Sequence, residues 1–240
     1  MKLTEGIVVK AIKYKDNDKI ISVITENGKE SIILKSATNL KGHTFSYSHE
    51  LTKIGYDTQK GYLKAGKVIN SYPNIHTHFE KMQSSLKVIE IADVLNEHIN
   101  DFNTFYHFLD DILSLIDKDD HNLIYELAFR LKTLYLLGIA PIFNHCVECG
   151  RKDHLQNFSL YSGGMKCQDC LTNDDFIIDS RIIYDARLLY LLKLPDLVTK
   201  INYFQDLNYQ EMNRFLNMYY DYYLGFTSKV ENVLKKLSNL

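Results

Sequence analysis

The chain changes its hydrophobic period once, near residue 73, and this confines the fold to a β unit followed by an α unit. Before that point, β-branched runs at 6–12 and 19–25 flank the polar turn Lys15-Asp16-Asn17-Asp18. Glu26-Asn27-Gly28 is a hairpin signal, because Asn-Gly tolerates the positive φ of tight turns. Further runs at 29–35, 51–56 and 62–72 complete five short strands, which predicts a small closed barrel of the OB type. After Pro73 apolar residues recur at helical spacing over 79–98, 103–117 and 121–137, the last stopped by Gly138 and Pro141. Helical spacing resumes at about 180–193, 208–224 and 228–237. The expected class is α+β, with a barrel over 1–75 and a helical domain over 76–240.

One segment of the α unit, about 144–172, has neither period but holds all four cysteines: Cys146, Cys149, Cys167 and Cys170. Two C-x2-C pairs at this separation supply four thiolates that can converge on one Zn²⁺. Gly150 and Gly163-Gly164 allow the backbone to bend close to the sulfurs. Two disulfides would need an oxidising compartment, and nothing at the N-terminus reads as a secretory signal. Four protein ligands leave no position open for water, so the expected zinc is structural. His78-Phe79-Glu80 matches half of a zinc-deaminase signature, but His145 stands where proline should precede Cys146.

No apolar run reaches the length needed to span a bilayer, and the chain reads as cytoplasmic. The net charge of −2 hides an asymmetry: residues 1–80 carry +4 and residues 81–240 carry −6. A phosphate-facing surface is therefore expected in the barrel. Gly61 to Lys67 fits the phosphate-loop string, but Val68 replaces the Mg²⁺-binding hydroxyl and the context is a strand. No nucleophile, base and orienter set is present, so the chain is not expected to be an enzyme.

Lys10, Lys13, Lys15 and Lys19 cluster around the first strand and its turn, and Lys35 and Lys41 flank a later connection. With Tyr14, Phe45 and Tyr47 nearby, they can form a groove that neutralises phosphates and stacks bases. Lysine on edge strands also guards against aggregation, so the pattern alone leaves both readings open. No arginine occurs before Arg130, which favours salt-dependent, sequence-tolerant binding. The tyrosines at 219, 220, 222 and 223 form either a core face or a partner groove. Arg151, Lys152 and Lys166 are either solvated charges or a second phosphate contact.

Gly6-Ile7-Val8-Val9-Lys10 at the barrel's start, Thr25 to Gly28 at its hairpin, Cys146-Val147-Glu148-Cys149-Gly150 and Gly163 to Cys170 together resemble the RecO family of bacterial recombination mediators. The resemblance runs along the whole chain in order. It implies a non-enzymatic DNA-repair protein that binds single- and double-stranded DNA and anneals complementary strands. It also implies help in loading the RecA recombinase on coated strands, with RecR and the acidic C-terminal tail of the single-stranded-DNA-binding protein as partners. The four cysteines match the family's zinc ligands. An RNA-binding OB barrel and a zinc-stabilised interaction scaffold are the alternative readings, and ribose preference or absence of nucleic-acid binding would reveal them.

Overall fold

A computed structural model describes residues 3–173, 175 and 177–237. It divides into two compact units, Met1–Asn122 with Val230–Leu240, and Leu123–Lys229. The strands are β1 (Thr4–Tyr14), β2 (Asp18–Thr25), β3 (Gly28–Leu34), β4 (Thr52–Gln59), β5 (Tyr62–Asn70), β6 (Leu155–Ser159) and β7 (Gly164–Cys167). The helices are α1 (Pro73–Thr77), α2 (Phe79–Val94), α3 (Phe102–Lys118), α4 (Asn122–Leu136), α5 (Ser180–Leu191), α6 (Leu194–Thr199), α7 (Tyr209–Leu224) and α8 (Lys229–Leu237).

In the first unit, β1 to β5 close a barrel in the order β1-β2-β3-β5-β4. β1 pairs antiparallel with both β2 and β4, and β3 meets β5 in parallel. This is the OB topology the strand pattern predicts. To serve two neighbours β1 must bend, and the register shift between Val8 and Lys10 supplies the bend. Val8, Ile21, Val23, Ile32, Leu34, Ile54 and Tyr56 fill the interior.

The β2–β3 hairpin forms where expected, but the positive φ falls on Gly28 (128°) and not on Asn27. Glu26 and Asn27 make the turn, and Gly28 already pairs with Thr25. At the β4–β5 hairpin both Lys60 (φ 52°) and Gly61 (φ 79°) are left-handed, as a type I′ turn requires. The Gly61 to Lys67 string therefore occupies a hairpin turn and β5, with no helix opening after it.

Acidic side chains of the helices tie them to the barrel within this unit. Asp93 of α2 meets Lys29 at 2.7 Å and Lys10 at 3.2 Å. Asp110 of α3 accepts from Lys53 of β4 at 2.7 Å and from the buried Tyr72 hydroxyl at 2.6 Å. Asp117 accepts the N–H groups of Asn74 and Ile75, capping α1, a helix the hydrophobic pattern does not predict. The expected helix over 79–98 ends at Val94 and continues as a 3₁₀ turn at Asn96–His98. The last helix, α8, also belongs here: the Val230 N–H donates to Glu90 of α2, and Glu231 is buried.

In the second unit α4 and α7 share a buried polar ladder. The Arg130 guanidinium, 3.5 Å from the Glu126 carboxylate, donates to Asn213 and Asn217 and lies over the Tyr220 ring. The Tyr209 hydroxyl donates to Glu126, and Tyr220 donates to the Arg130 carbonyl. Pairing inside the ladder offsets the desolvation of the charged groups. Phe158 of β6 sets its ring edge-on to Phe215 of α7, which anchors the cysteine-bearing segment to the helices.

Candidate metal centre and nucleic-acid face

The cysteine segment folds around a two-stranded ribbon, β6–β7, which the sequence pattern does not reveal. The first knuckle closes through Gly150 N–H to Cys146 O and Cys146 N–H to Arg151 O. It docks on β7 through Val147 N–H to Met165 O. Glycine is required at 164: a Cβ there would lie 2.4 Å from Val147 and 2.8 Å from Ile142. Cys167 ends β7, and Leu171 N–H returns to its carbonyl, forming the second knuckle.

These two turns bring the four Sγ atoms within 4.8 Å of one another. Cys149 and Cys167 are 3.7 Å apart, and all four cysteines are free thiols. A tetrahedron with Zn–S bonds of about 2.3 Å has edges of about 3.8 Å, so the donor set fits zinc in size and chemistry. Burial opposes ionisation of Cys146, but the N–H groups of Cys149, Cys167 and Glu148 outweigh it and hold the thiol at about 6. Zinc bound here would be closed to substrate and would brace the segment.

Of the three cations near the knuckles, Lys166 and Arg151 are ion-paired and Lys152 is exposed. Lys166 lies between Glu148 (3.4 Å) and Asp175 (3.1 Å), and Asp175 also accepts from Thr172 N–H and Oγ1. Arg151 pairs with Asp169 at 2.6 Å. Of the tyrosines, Tyr219 and Tyr220 are core, whereas Tyr222 is exposed and edge-on to Tyr161.

The barrel lysines divide into two groups. Lys10 faces α2 and is held by Asp93. The other five gather at one end. Lys13 and Lys19 are cross-strand partners on β1 and β2, and Lys15 sits in the turn between them with its ammonium 5.2 Å from the Tyr14 ring. The Lys19 ammonium donates to Ser48 in the β3–β4 connection. That connection, which carries Lys35 and Lys41, is bonded to the β1–β2 tip through Thr38 N–H to Asn17 O and Ser36 N–H to Asp18.

The β4–β5 turn reaches the same end through Ile33 N–H to Gly61 O, and it adds Lys60, which the sequence reading misses. Its signal was the Lys-Gly pair before a strand. The Lys35 ammonium lies 5.0 Å from the centre of the exposed Tyr62 ring. Tyr47 is instead a core residue donating to Gly66 O, and Phe45 packs on His49. Among the described residues no helix is long and apolar enough to cross a membrane.

Two family models match, recombination protein O N terminal over residues 1–72 and recombination protein O C terminal over residues 78–230. A DNA repair protein RecO of Clostridium perfringens is 35% identical over 69% of this chain and 70% of its own length. One of Listeria monocytogenes is 26% identical with both chains fully covered. One of Oceanobacillus iheyensis is 27% identical over 97% of this chain and 92% of its own length. With both halves of the molecule matched and a cysteine cluster set between helices, the chain belongs to the RecO family of DNA repair proteins.

Proposed function

We propose that the chain is a recombination mediator that binds single-stranded DNA on the barrel and holds its bases free to pair. The observation that carries this reading is the gathering of Lys13, Lys15, Lys19, Lys35, Lys41 and Lys60 at one end of an OB barrel. Ammonium groups there neutralise phosphates through counterion release, without selecting sequence. Strands so held anneal to complements, or pass to the RecA recombinase on DNA coated by the single-stranded-DNA-binding protein. Double-stranded DNA is contacted through the same backbone charges. RecR and the acidic tail of the coating protein are the protein partners, and the work is done in the cytoplasm without catalysis.

Zinc on Cys146, Cys149, Cys167 and Cys170 has a structural role in this reading. It fixes two knuckles on a ribbon too small to be stable alone. Fluorescence anisotropy with labelled single-stranded DNA and matched RNA, over a salt series, tests the proposal. Joint replacement of Lys13, Lys15, Lys35 and Lys41 by Ala removes up to four phosphate contacts. The slope of log K against log salt then flattens by about 2–3, at about 0.7 for each contact on a single strand. An unchanged slope would move the DNA site off this end, and a clear preference for RNA would favour an RNA-binding role.

A further inference from the structure

We infer that Cys149 is a site of oxidation by hydroperoxides, and that its oxidised sulfur closes a disulfide on Cys167 that costs the cluster its metal. The inference rests on the zinc reading of the four cysteines and is independent of DNA binding. The four sulfurs are not equally reachable. Cys146 and Cys167 are wholly buried and Cys170 is half-buried, whereas Cys149 is exposed. Its neighbours Glu148 and Gly150 are exposed too, and a Cβ at 150 would meet no atom within 4 Å, so the tip of the first knuckle stands clear. Metal binding keeps all four sulfurs as thiolates, which leaves access to decide which one reacts. A small oxidant arriving from solvent meets Cys149 first.

The second sulfur is already at hand. The Sγ atoms of Cys149 and Cys167 are 3.7 Å apart, and a disulfide needs them to close to about 2.05 Å. The chemistry balances with hydrogen peroxide as the oxidant. The Cys149 thiolate attacks one peroxide oxygen, the O–O bond breaks, and hydroxide leaves a sulfenic acid behind. The Cys167 thiolate then attacks that sulfur, the S–O bond breaks, and a second hydroxide leaves. Both hydroxides take protons from solvent, and two electrons have passed from the sulfur pair to the peroxide. Cys146 and Cys170 alone do not close a tetrahedral shell. Without the metal the knuckles keep only backbone bonds such as Val147 N–H to Met165 O, and the β6–β7 ribbon loses its brace. A dithiol reductant returns both thiols, so the step is reversible while oxidation stops at the disulfide.

Zinc-loaded protein is treated with hydrogen peroxide beside a chromophoric zinc chelator, with an untreated control, and the products are digested for disulfide mapping. The expected result is peroxide-dependent zinc release together with a Cys149–Cys167 disulfide, both reversed by dithiothreitol and added zinc. Amide exchange should rise in β6–β7 and stay unchanged in the barrel. Cys149→His and Cys170→His each leave three thiolates and an imidazole, a donor set that also suits zinc. With metal content verified, Cys149→His should release zinc on the order of tenfold more slowly than the parent, because imidazole does not enter the thiol oxidation ladder. Cys170→His should release it at the parent's rate. Mapping the parent needs no variant, so the test survives a variant that fails to hold metal. A disulfide within either C-x2-C pair, equal slowing in both variants, or zinc retained through peroxide treatment would overturn the inference. Protein purified without zinc would overturn the zinc reading and the inference with it, and none of these outcomes touches the DNA-binding function.

Discussion

Replacing Asp93 by Ala should make the protein less stable and a better DNA binder. The carboxylate is 10% exposed and meets two ammonium groups, Lys29 at 2.7 Å and Lys10 at 3.2 Å. Lys29 is 26% exposed and keeps its bond to the Asp93 carbonyl, so losing its ion pair costs about 1.5–2 kcal/mol. Lys10 is 52% exposed, and its pair contributes at most about 0.5 kcal/mol. The expected loss is about 2 kcal/mol, read as a lower thermal midpoint and faster amide exchange in α2 and β3. Lys10 lies on β1 three residues before Lys13, and once released it can reach a phosphate of a strand held by the lysines at that end. One added contact steepens the salt slope by about 0.7 and tightens binding at low salt. Weaker binding, or an unchanged slope, would refute the placement of Lys10 beside the strand. Unchanged stability would refute the clamp.

Purified protein should hold one zinc per chain by mass spectrometry, and Cys149→Ser or chelation should raise amide exchange in β6–β7 while the barrel stays protected. Tyr72→Phe and Asp110→Ala should cost about 1–2 and 3 kcal/mol, with a double-mutant coupling above about 1 kcal/mol; a coupling near zero would contradict the 2.6 Å bond. Burial pushes the Asp175 carboxyl up, but hydrogen bonds from Ser159, Thr172 and Lys166 prevail and hold it at about 2. A carboxylate depressed in the folded state stabilises above its unfolded value near 4 and loses that contribution as pH falls through 2. Asp175→Asn should therefore cost about 1–2 kcal/mol at pH 7, with the difference from the parent shrinking between pH 4 and pH 2 in urea denaturation.

The barrel is legible in the sequence because period two and turn residues are local signals, and each strand lies within a few residues of its apolar run. The four cysteines are legible because two C-x2-C pairs are a local spacing signal, and the structure brings their sulfurs together. What escapes the pattern is set by tertiary contacts. α1 depends on Asp117, more than forty residues away, to cap it. Glu126 and Arg130, at i and i+4, look like a solvated surface pair until Tyr209, Asn213 and Asn217 bury them. Lys10 reads as one more basic barrel residue, yet its partner lies 83 positions on. Which face of β2 and β3 lies inside is hidden because both strands carry apolar residues on both faces, so alternation does not show it.

The return of α8 to the first unit bears on the order of assembly during synthesis. The barrel strands leave the ribosome well before α8, which supplies part of the helical cover of their unit. The second unit is contained wholly within Leu123–Lys229 and takes nothing from α8 beyond Lys229 to complete it. The first unit, by contrast, is interrupted in sequence, and its barrel lacks one covering helix until α8 has been made.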